Sequence, residues 1–414
     1  MTASLSVFDV RLALLTRREI ALLDLRTEAQ FATGHPLFAA QLSPDRIELE
    51  AAHRLPRRDV SIVLYDDGLR LLHGATAQLR DLGYQNVHTL AGDLTAWREA
   101  GFELFQDVNS YSKAFGELVE ARRHTPSIAA VELHALLDTN ADIAVLDARR
   151  YDEYNTMSIP GSTSVSGAEL VLRARSLVPD PKTTIVVNCA GRTRSIIGTQ
   201  SLLNAGVPNP VVALRNGTIG WTLAGQKLQT KQTRRGPAFA ELDASRVREG
   251  RASARAVAYR AGVRRIVSRE LQALAADTTR TLYRFDVRTP EEFSTGHLPS
   301  FRSAPGGQLV QETDMVAPVR GARIVLADDL GARADMTASW LAQMGWEVYV
   351  LEGGFDALLL RGPDDAPPRA TSGRYKRPYE GTDNAAAAMQ AYLEWEYGLV
   401  GQLERDGSHG FFVI

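Results

Sequence analysis

The amino-acid sequence predicts an α/β protein of three tandem doubly wound domains, each a parallel sheet flanked by helices, with a C-terminal helical tail. Three observations predict it. An Asp-x-Arg motif recurs at Asp24 and Arg26, Asp147 and Arg149, and Asp286 and Arg288. The landmarks after it keep constant offsets: a β-type run ends 42 residues beyond each Asp, at Asp66, Cys189 and Asp328, and a glycine follows 17 residues later, at Gly83, Gly206 and Gly345. The apolar runs are also continuous, not alternating, as strands buried on both faces of a parallel sheet require.

The elements follow in order within each repeat. A first apolar strand closes on the Asp, and an aromatic comes seven residues later in a helical segment: Phe31, Tyr154 or Phe293. The second strand is SIVLYDDG, TIVVNCAG or RIVLADDL. A helical segment then runs to the glycine, a Val-rich strand follows (NVHTL, NPVVAL, WEVYVL), and Gly92, Gly217 or Gly353 closes the unit. This alternation of strand and helix implies parallel sheets with crossover helices.

The expected domains are 1–105, 127–228 and 263–360, separated by linkers 106–126 and 229–262. The Arg-rich stretch 244–265 reads as an interdomain linker or a solvated helix face rather than an RNA-binding surface, because the whole chain is balanced in charge. Residues 361–414 hold a Pro/Gly-rich connector and one helix, NAAAAMQAYLEWEYGLVGQLER, capped by Asp383 or Asn384. The apolar FFVI end is expected to dock, since a free apolar tail is an association hazard. That tail and its helix could cover another repeat or a second subunit, so the oligomeric state stays open.

Composition excludes several classes. The chain has 414 residues, 44% hydrophobic and 23% charged, and a formal charge of -2, so no global field recruits nucleic acid or an anionic membrane. No run of 18 apolar residues occurs, and the first residues are too interrupted by Asp, Arg and Glu to read as a secretory core. One cysteine makes neither an internal disulfide nor a Cys-based metal cage. A reducing, cytoplasmic location is expected, with no metal and no organic cofactor.

That single cysteine lies in IVVNCAGRTRSIIGT, residues 185–199. Cys189 follows a strand directly, and SIIGTQSLLNAG has helical apolar spacing, so the loop 189–194 opens a helix at the carboxyl end of a parallel strand. Ligands bind there in open α/β sheets. Backbone N–H groups at such a corner favour an anion, and Arg192 and Arg194 add full charges. A thiolate stabilised this way has a lowered pKa, which is the expectation for Cys189. It suits attack on a phosphate ester or acceptance of a sulfane sulfur as a persulfide.

DARRYDEY, IPG, a strand ending in CAGRTRS, and VVALRNGTIGWTLAG together resemble a rhodanese domain, of the thiosulfate sulfurtransferase family. The resemblance covers about 22–101, 140–226 and 275–356, as three rhodanese-like copies. Family members that transfer sulfur have a six-residue loop beginning at the cysteine, whereas those resembling dual-specificity phosphatases have seven. Cys189, Ala190, Gly191, Arg192, Thr193 and Arg194 make six, which favours sulfur. The resemblance implies that Cys189 carries the persulfide. The N–H groups of Ala190, Gly191, Arg192, Thr193 and Arg194 would surround its outer sulfur, and Arg192 and Arg194 would orient an anionic donor such as thiosulfate. Cyanide, glutathione or another thiol would accept the sulfur, and a protein acceptor stays open. A non-enzymatic persulfide carrier or sensor is the alternative, and a phosphatase stands third.

Other residues have plainer readings. Ser195 tunes the pocket or caps the helix. Arg149 could touch substrate, but it reads better as a structural partner of Asp147, because the copies without a cysteine keep the pair. His35 and His297 read as packing residues, since the cysteine-bearing copy has Ser158 there. Trp97 and Trp221 read as core or interface residues. Asp66 and Asp328 stand at the cysteine position, so the first and third domains are expected to be inactive walls around the second. Their carboxylates would repel an anionic donor.

Overall fold

The computed structural model describes residues 3–237, 241–356, 359–368, 370, 372–377 and 379–414. Three sheets follow one another along the chain, each built mainly from one repeat. In the second, the strands Ser127–Ile128, Val211–Leu214, Thr184–Asn188, Ile143–Asp147 and Thr163–Ser164 lie side by side in that order, all parallel. The third repeats the pattern with Arg264–Ile266, Glu347–Leu351, Arg323–Ala327, Leu282–Asp286 and Arg302–Ser303. The first does so with Ser4–Leu5, Val87–Leu90, Ile62–Tyr65, Ile20–Asp24 and Ala40–Gln41.

The central strands are buried from end to end: every residue of Ile20–Asp24, Ile62–Tyr65 and Arg323–Ala327 is buried. Helices cover both faces, which is why these strands are uniformly apolar. Asp24, Asp147 and Asp286 are the last residues of their strands, in matching positions. Each accepts two bonds from the guanidinium two residues on, with Nη2–Oδ2 distances of 2.6, 2.7 and 2.7 Å. The same guanidinium donates to a carbonyl eight residues beyond it, at Gly34, Met157 or Gly296. This buried brace is common to all three repeats. His35 and His297 are packing residues, stacked on Phe31 and Phe293 at centroid distances of 3.7 and 3.8 Å.

The repeats interlock. Val319–Arg320, from the third repeat, adds an antiparallel strand to Ile20–Asp24 of the first sheet. Glu19 accepts from Arg57 at 2.7 Å and from the Thr281 backbone at 2.7 Å, tying the first repeat to the third. Gly167 and Gly307 bring the second and third together, with a Cβ on Gly307 falling 3.3 Å from the Gly167 nitrogen.

The two stretches expected as linkers are structural elements. Within 106–126 lies the helix Ser110–Arg123, whose Tyr111, Ala114, Phe115, Leu118 and Val119 join the main core. Within 229–262 lies Ala244–Arg260, capped by Asp243 and wedged between the helices Leu170–Leu177 and Ala332–Gln343. Its Ala254 and Val257 are buried while Tyr259 is exposed, so the Arg-rich face is the solvent side of an amphipathic wedge.

The single helix expected near the C-terminus is two: Ala385–Tyr397, capped by Asn384, and Leu399–Asp406, meeting at Gly398. Both halves pack on Ser110–Arg123. The first lies over the cysteine-bearing domain, and the second buries Leu399 and Leu403 against Ser110–Arg123. The final residues dock: Phe411 meets Tyr111 and Phe115 edge-on at 5.2 and 5.3 Å, and the Ile414 N–H donates to Gln343 Oε1 at 3.0 Å. No helix among the described residues is long and apolar enough to cross a membrane.

Candidate active site

Cys189 immediately follows the strand Thr184–Asn188, and the helix Thr193–Asn204 begins four residues later. Two backbone bonds clamp the turn from behind: Thr218 N–H donates to the Cys189 carbonyl at 2.9 Å, and Ile219 N–H to the Ala190 carbonyl at 3.0 Å. Gly217 makes that clamp possible. Its φ is +52°, and a Cβ there would lie 2.3 Å from the Cys189 oxygen, so only glycine fits. On the other side, Gly116 of Ser110–Arg123 lets Thr193 come so close that a Cβ would meet its methyl at 2.8 Å.

Cys189 is 2% exposed but lines a cavity of about 890 Å³. All three repeats and the C-terminal connector wall this cavity: Arg46 and His53 from the first, Arg302 and Gln308 from the third, and Arg377 and Tyr379 from the connector. The Sγ–H donates to Ser195 Oγ at 3.3 Å, and Ser195 Oγ donates to the Arg192 carbonyl at 2.8 Å. Ser195 therefore both holds the turn and touches the sulfur.

The two loop arginines have different surroundings. Arg194 forms a two-pronged pair with Glu153, Nη1–Oε2 2.6 Å and Nη2–Oε1 2.9 Å. Burial alone would raise the Glu153 carboxyl, but Arg194 outweighs it and holds the group down at about 2. Arg192 turns to the helix Ser110–Arg123: Nε donates to Glu117 at 2.7 Å, Nη2 to Glu117 at 2.8 Å and also to Glu120, and Nη1 to Asn216 at 3.2 Å. Its guanidinium also lies over the Tyr397 ring, 4.0 Å from the centroid. The side chain expected to orient a donor is thus engaged with Glu117, Glu120 and Asn216. Arg149 is similarly engaged with Asp147, although both arginines border the cavity.

One expectation is corrected. The Cys189 thiol is raised, not lowered. Burial is the main cause; Arg194 and the Ser195 hydroxyl and N–H pull it down, while Glu396 pushes it further up. The arginines that suggested a stabilised thiolate are largely neutralised by Glu117, Glu120 and Glu153.

The corresponding loops of the other repeats carry their own anion. Asp328 Oδ2 accepts from Arg333 N–H at 2.8 Å and Ala334 N–H at 3.3 Å, and Oδ1 from Leu330 N–H at 3.2 Å. Asp66 accepts from Gly68 N–H at 3.1 Å, Leu72 N–H at 3.2 Å and Leu71 N–H. In both, a carboxylate fills the amide cradle that the helix N-terminus creates.

The comparisons with known proteins agree with this geometry. The model of the rhodanese-like domain matches residues 10–100, 129–224 and 268–360. The chain belongs to the rhodanese-like family. A crystal structure of thiosulfate sulfurtransferase from Pseudomonas aeruginosa is 49% identical over 100% of both chains, with a TM-score of 0.95. The Alr3790 protein from Anabaena sp. matches 25% of this chain over 83% of its own, at 23% identity and a TM-score of 0.24. A comparison with curated proteins finds no match. In this rhodanese-like chain, the side chains nearest the cysteine loop include three that lie outside the repeat pattern. Glu117 comes from the helix between the first two matched segments, and Tyr392 and Glu396 come from the helix after the third. Nothing in the repeat register marks them. Glu153 stands beside the repeat-register aromatic Tyr154 in DARRYDEY, but its pairing with Arg194 emerges only from the fold.

Proposed function

We propose that this chain is a sulfurtransferase that carries sulfane sulfur on Cys189 from an anionic donor such as thiosulfate to cyanide, glutathione or another thiol. The observation that carries the reading is the six-residue loop Cys189–Arg194, which places a thiol at the strand end where the other two repeats hold a carboxylate in the amide cradle. A persulfide's outer sulfur is itself an anion, so the cradle suits it for the same reason.

The thiolate attacks the outer sulfur of thiosulfate, the sulfur–sulfur bond breaks, and sulfite leaves with the electron pair. The acceptor's nucleophile then attacks the outer persulfide sulfur and returns the Cys189 thiolate. No other cysteine exists in the chain, so the acceptor comes from outside it. Because Cys189 is buried at the wall of a cavity of about 890 Å³, the acceptor it suits is small rather than a folded protein. The Asp-bearing domains, with their cradles already filled, act as walls of that cavity. Ala190, Gly191, Thr193 and Ser195 supply backbone and hydroxyl donors around the sulfur, and Arg194 supplies the nearest charge. Incubation with thiosulfate and cyanide should yield thiocyanate, and Cys189→Ala should abolish it. A turning-over Cys189→Ala protein overturns the proposal, and hydrolysis of an aryl phosphate through Cys189 would replace it with a phosphatase.

A further inference from the structure

Glu396 lies on the helix Ala385–Tyr397, beyond the last segment matched to the family. The residue is 2% exposed. Its Oε1 accepts from the Tyr392 hydroxyl at 3.2 Å, whereas Oε2 has no hydrogen-bond partner among the described residues. That free oxygen is 3.2 Å from where a Cβ on Gly191 would sit, so it lies directly beside the loop that Cys189 begins. Both Glu396 and Cys189 line the same cavity. A buried carboxyl oxygen without a donor is costly, and a proton or a ligand that bonds to it relieves the cost.

The charges around Glu396 are divided. Lys113 and Glu117 face it from Ser110–Arg123, Arg192 and Cys189 from the loop, Tyr392 from its own helix and Tyr379 from the connector. Burial and Glu117 favour the neutral acid; Lys113, Arg192 and the Tyr392 hydroxyl favour the carboxylate. Lys113 and Arg192 have carboxylates of their own, Asp107 at 2.9 Å and Glu117 at 2.7 Å, so neither is bound to Glu396 alone. The balance, with burial the largest influence, pushes the carboxyl up to about 7.

We propose that Glu396 selects the anionic sulfur donor by its protonation state: the neutral carboxyl donates its Oε2 hydrogen to an anion beside Cys189, and the carboxylate repels that anion. This deepens the sulfurtransferase reading, since the anion admitted is that reading's donor. Gln reproduces the neutral acid, as an uncharged group with N–H donors of similar shape.

Alkylation of Cys189 tests it without sulfur chemistry. The same thiolate attacks the iodomethylene carbon of iodoacetate and of iodoacetamide, with iodide leaving, so the ratio of the two rates cancels the thiolate fraction and reports only what the site does to a negative charge. For the full-length, donor-free protein, the iodoacetate-to-iodoacetamide ratio should fall about tenfold from about pH 6 to about pH 8, as one nearby charge develops. In Glu396→Gln the ratio should stay at its high, low-pH value throughout. A flat wild-type ratio overturns the proposal whether or not the variant folds, and an equal fall in Glu396→Gln overturns it as well. A protein that shows the Gln-sensitive ratio but never forms a persulfide loses the sulfurtransferase reading and keeps the selector.

Discussion

The Arg333 guanidinium grips the Asp328 carboxylate, Nη2–Oδ1 2.9 Å and Nε–Oδ1 3.0 Å, at the point in the third repeat that corresponds to the sulfur of Cys189 in the second. Arg333 is 1% exposed and also reaches Glu169 at 2.9 Å, Glu292 at 2.7 Å and Asp329 at 2.8 Å. An internal ion pair therefore occupies one cradle, and the Cys189 thiol stands at the same point of the second repeat.

Asp328→Asn should destabilise the protein by about 1–3 kcal/mol in urea unfolding, the cost of weakened charge-assisted bonds where three other carboxylates still serve Arg333. Burial opposes ionisation of Asp328, but Arg333 outweighs it and lowers the carboxyl. A lowered carboxyl contributes stability that is present above its unfolded value and lost as the pH falls through its folded value. The variant should lack that acid loss.

Glu153→Gln should have two effects. Glu153 is held at about 2 in the folded protein, so its stabilisation persists at neutral pH and fades as the pH falls from the ordinary carboxylate range toward about 2. The variant should lose stability at neutral pH and show a flatter acid limb. It also frees the Arg194 charge to act on the sulfur, so the reaction of Cys189 with iodoacetamide should shift to lower pH. An unchanged alkylation profile would show that Arg194 does not govern the thiol.

Arg192→Ala separates a brace from a donor contact. Glu117 is 4% exposed, and removal of its partner leaves a buried carboxylate uncompensated. The expected cost is about 3–5 kcal/mol, read by chemical denaturation. Arg192→Lys should recover only part of it, because one ammonium cannot reproduce the forked contact. A fully stable Arg192→Ala protein with a raised KM for thiosulfate would return Arg192 to donor binding.

Gly217→Ala should lower both stability and turnover. The added Cβ would fall 2.3 Å from the Cys189 carbonyl, and φ is +52°, so the backbone must move. We expect a loss of at least about 2 kcal/mol by thermal melting, with a fall in kcat as the clamp on the cysteine turn loosens. Gly206→Ala, which also has a positive φ but no atom within 4 Å of the added Cβ, serves as the control and should cost less.

The repeat architecture was legible because a parallel sheet writes itself as continuous apolar runs at fixed spacing. Asp24, Asp147 and Asp286 end the strands Ile20–Asp24, Ile143–Asp147 and Leu282–Asp286, and Asp66, Cys189 and Asp328, 42 residues on, directly follow Ile62–Tyr65, Thr184–Asn188 and Arg323–Ala327. The cysteine loop was legible for the same reason. The electrostatics were not. Arg192 and Arg194 are visible beside Cys189, but the acids that offset them, Glu117, Glu120 and Glu153, lie 41 to 75 residues before the arginines they pair with and meet them only through the fold. Glu396 was invisible because it belongs to no repeat, and its helix shows no motif. The break at Gly398 is not legible because the same helical pattern runs through both halves.

The most direct test of Cys189 as the sulfur carrier is the intact mass of the full-length protein after incubation with thiosulfate and removal of excess donor. The account predicts a gain of one sulfur atom, absent in Cys189→Ser and removed by cyanide with release of thiocyanate. An unchanged wild-type mass, or a gain of sulfur that survives in Cys189→Ser, would contradict it.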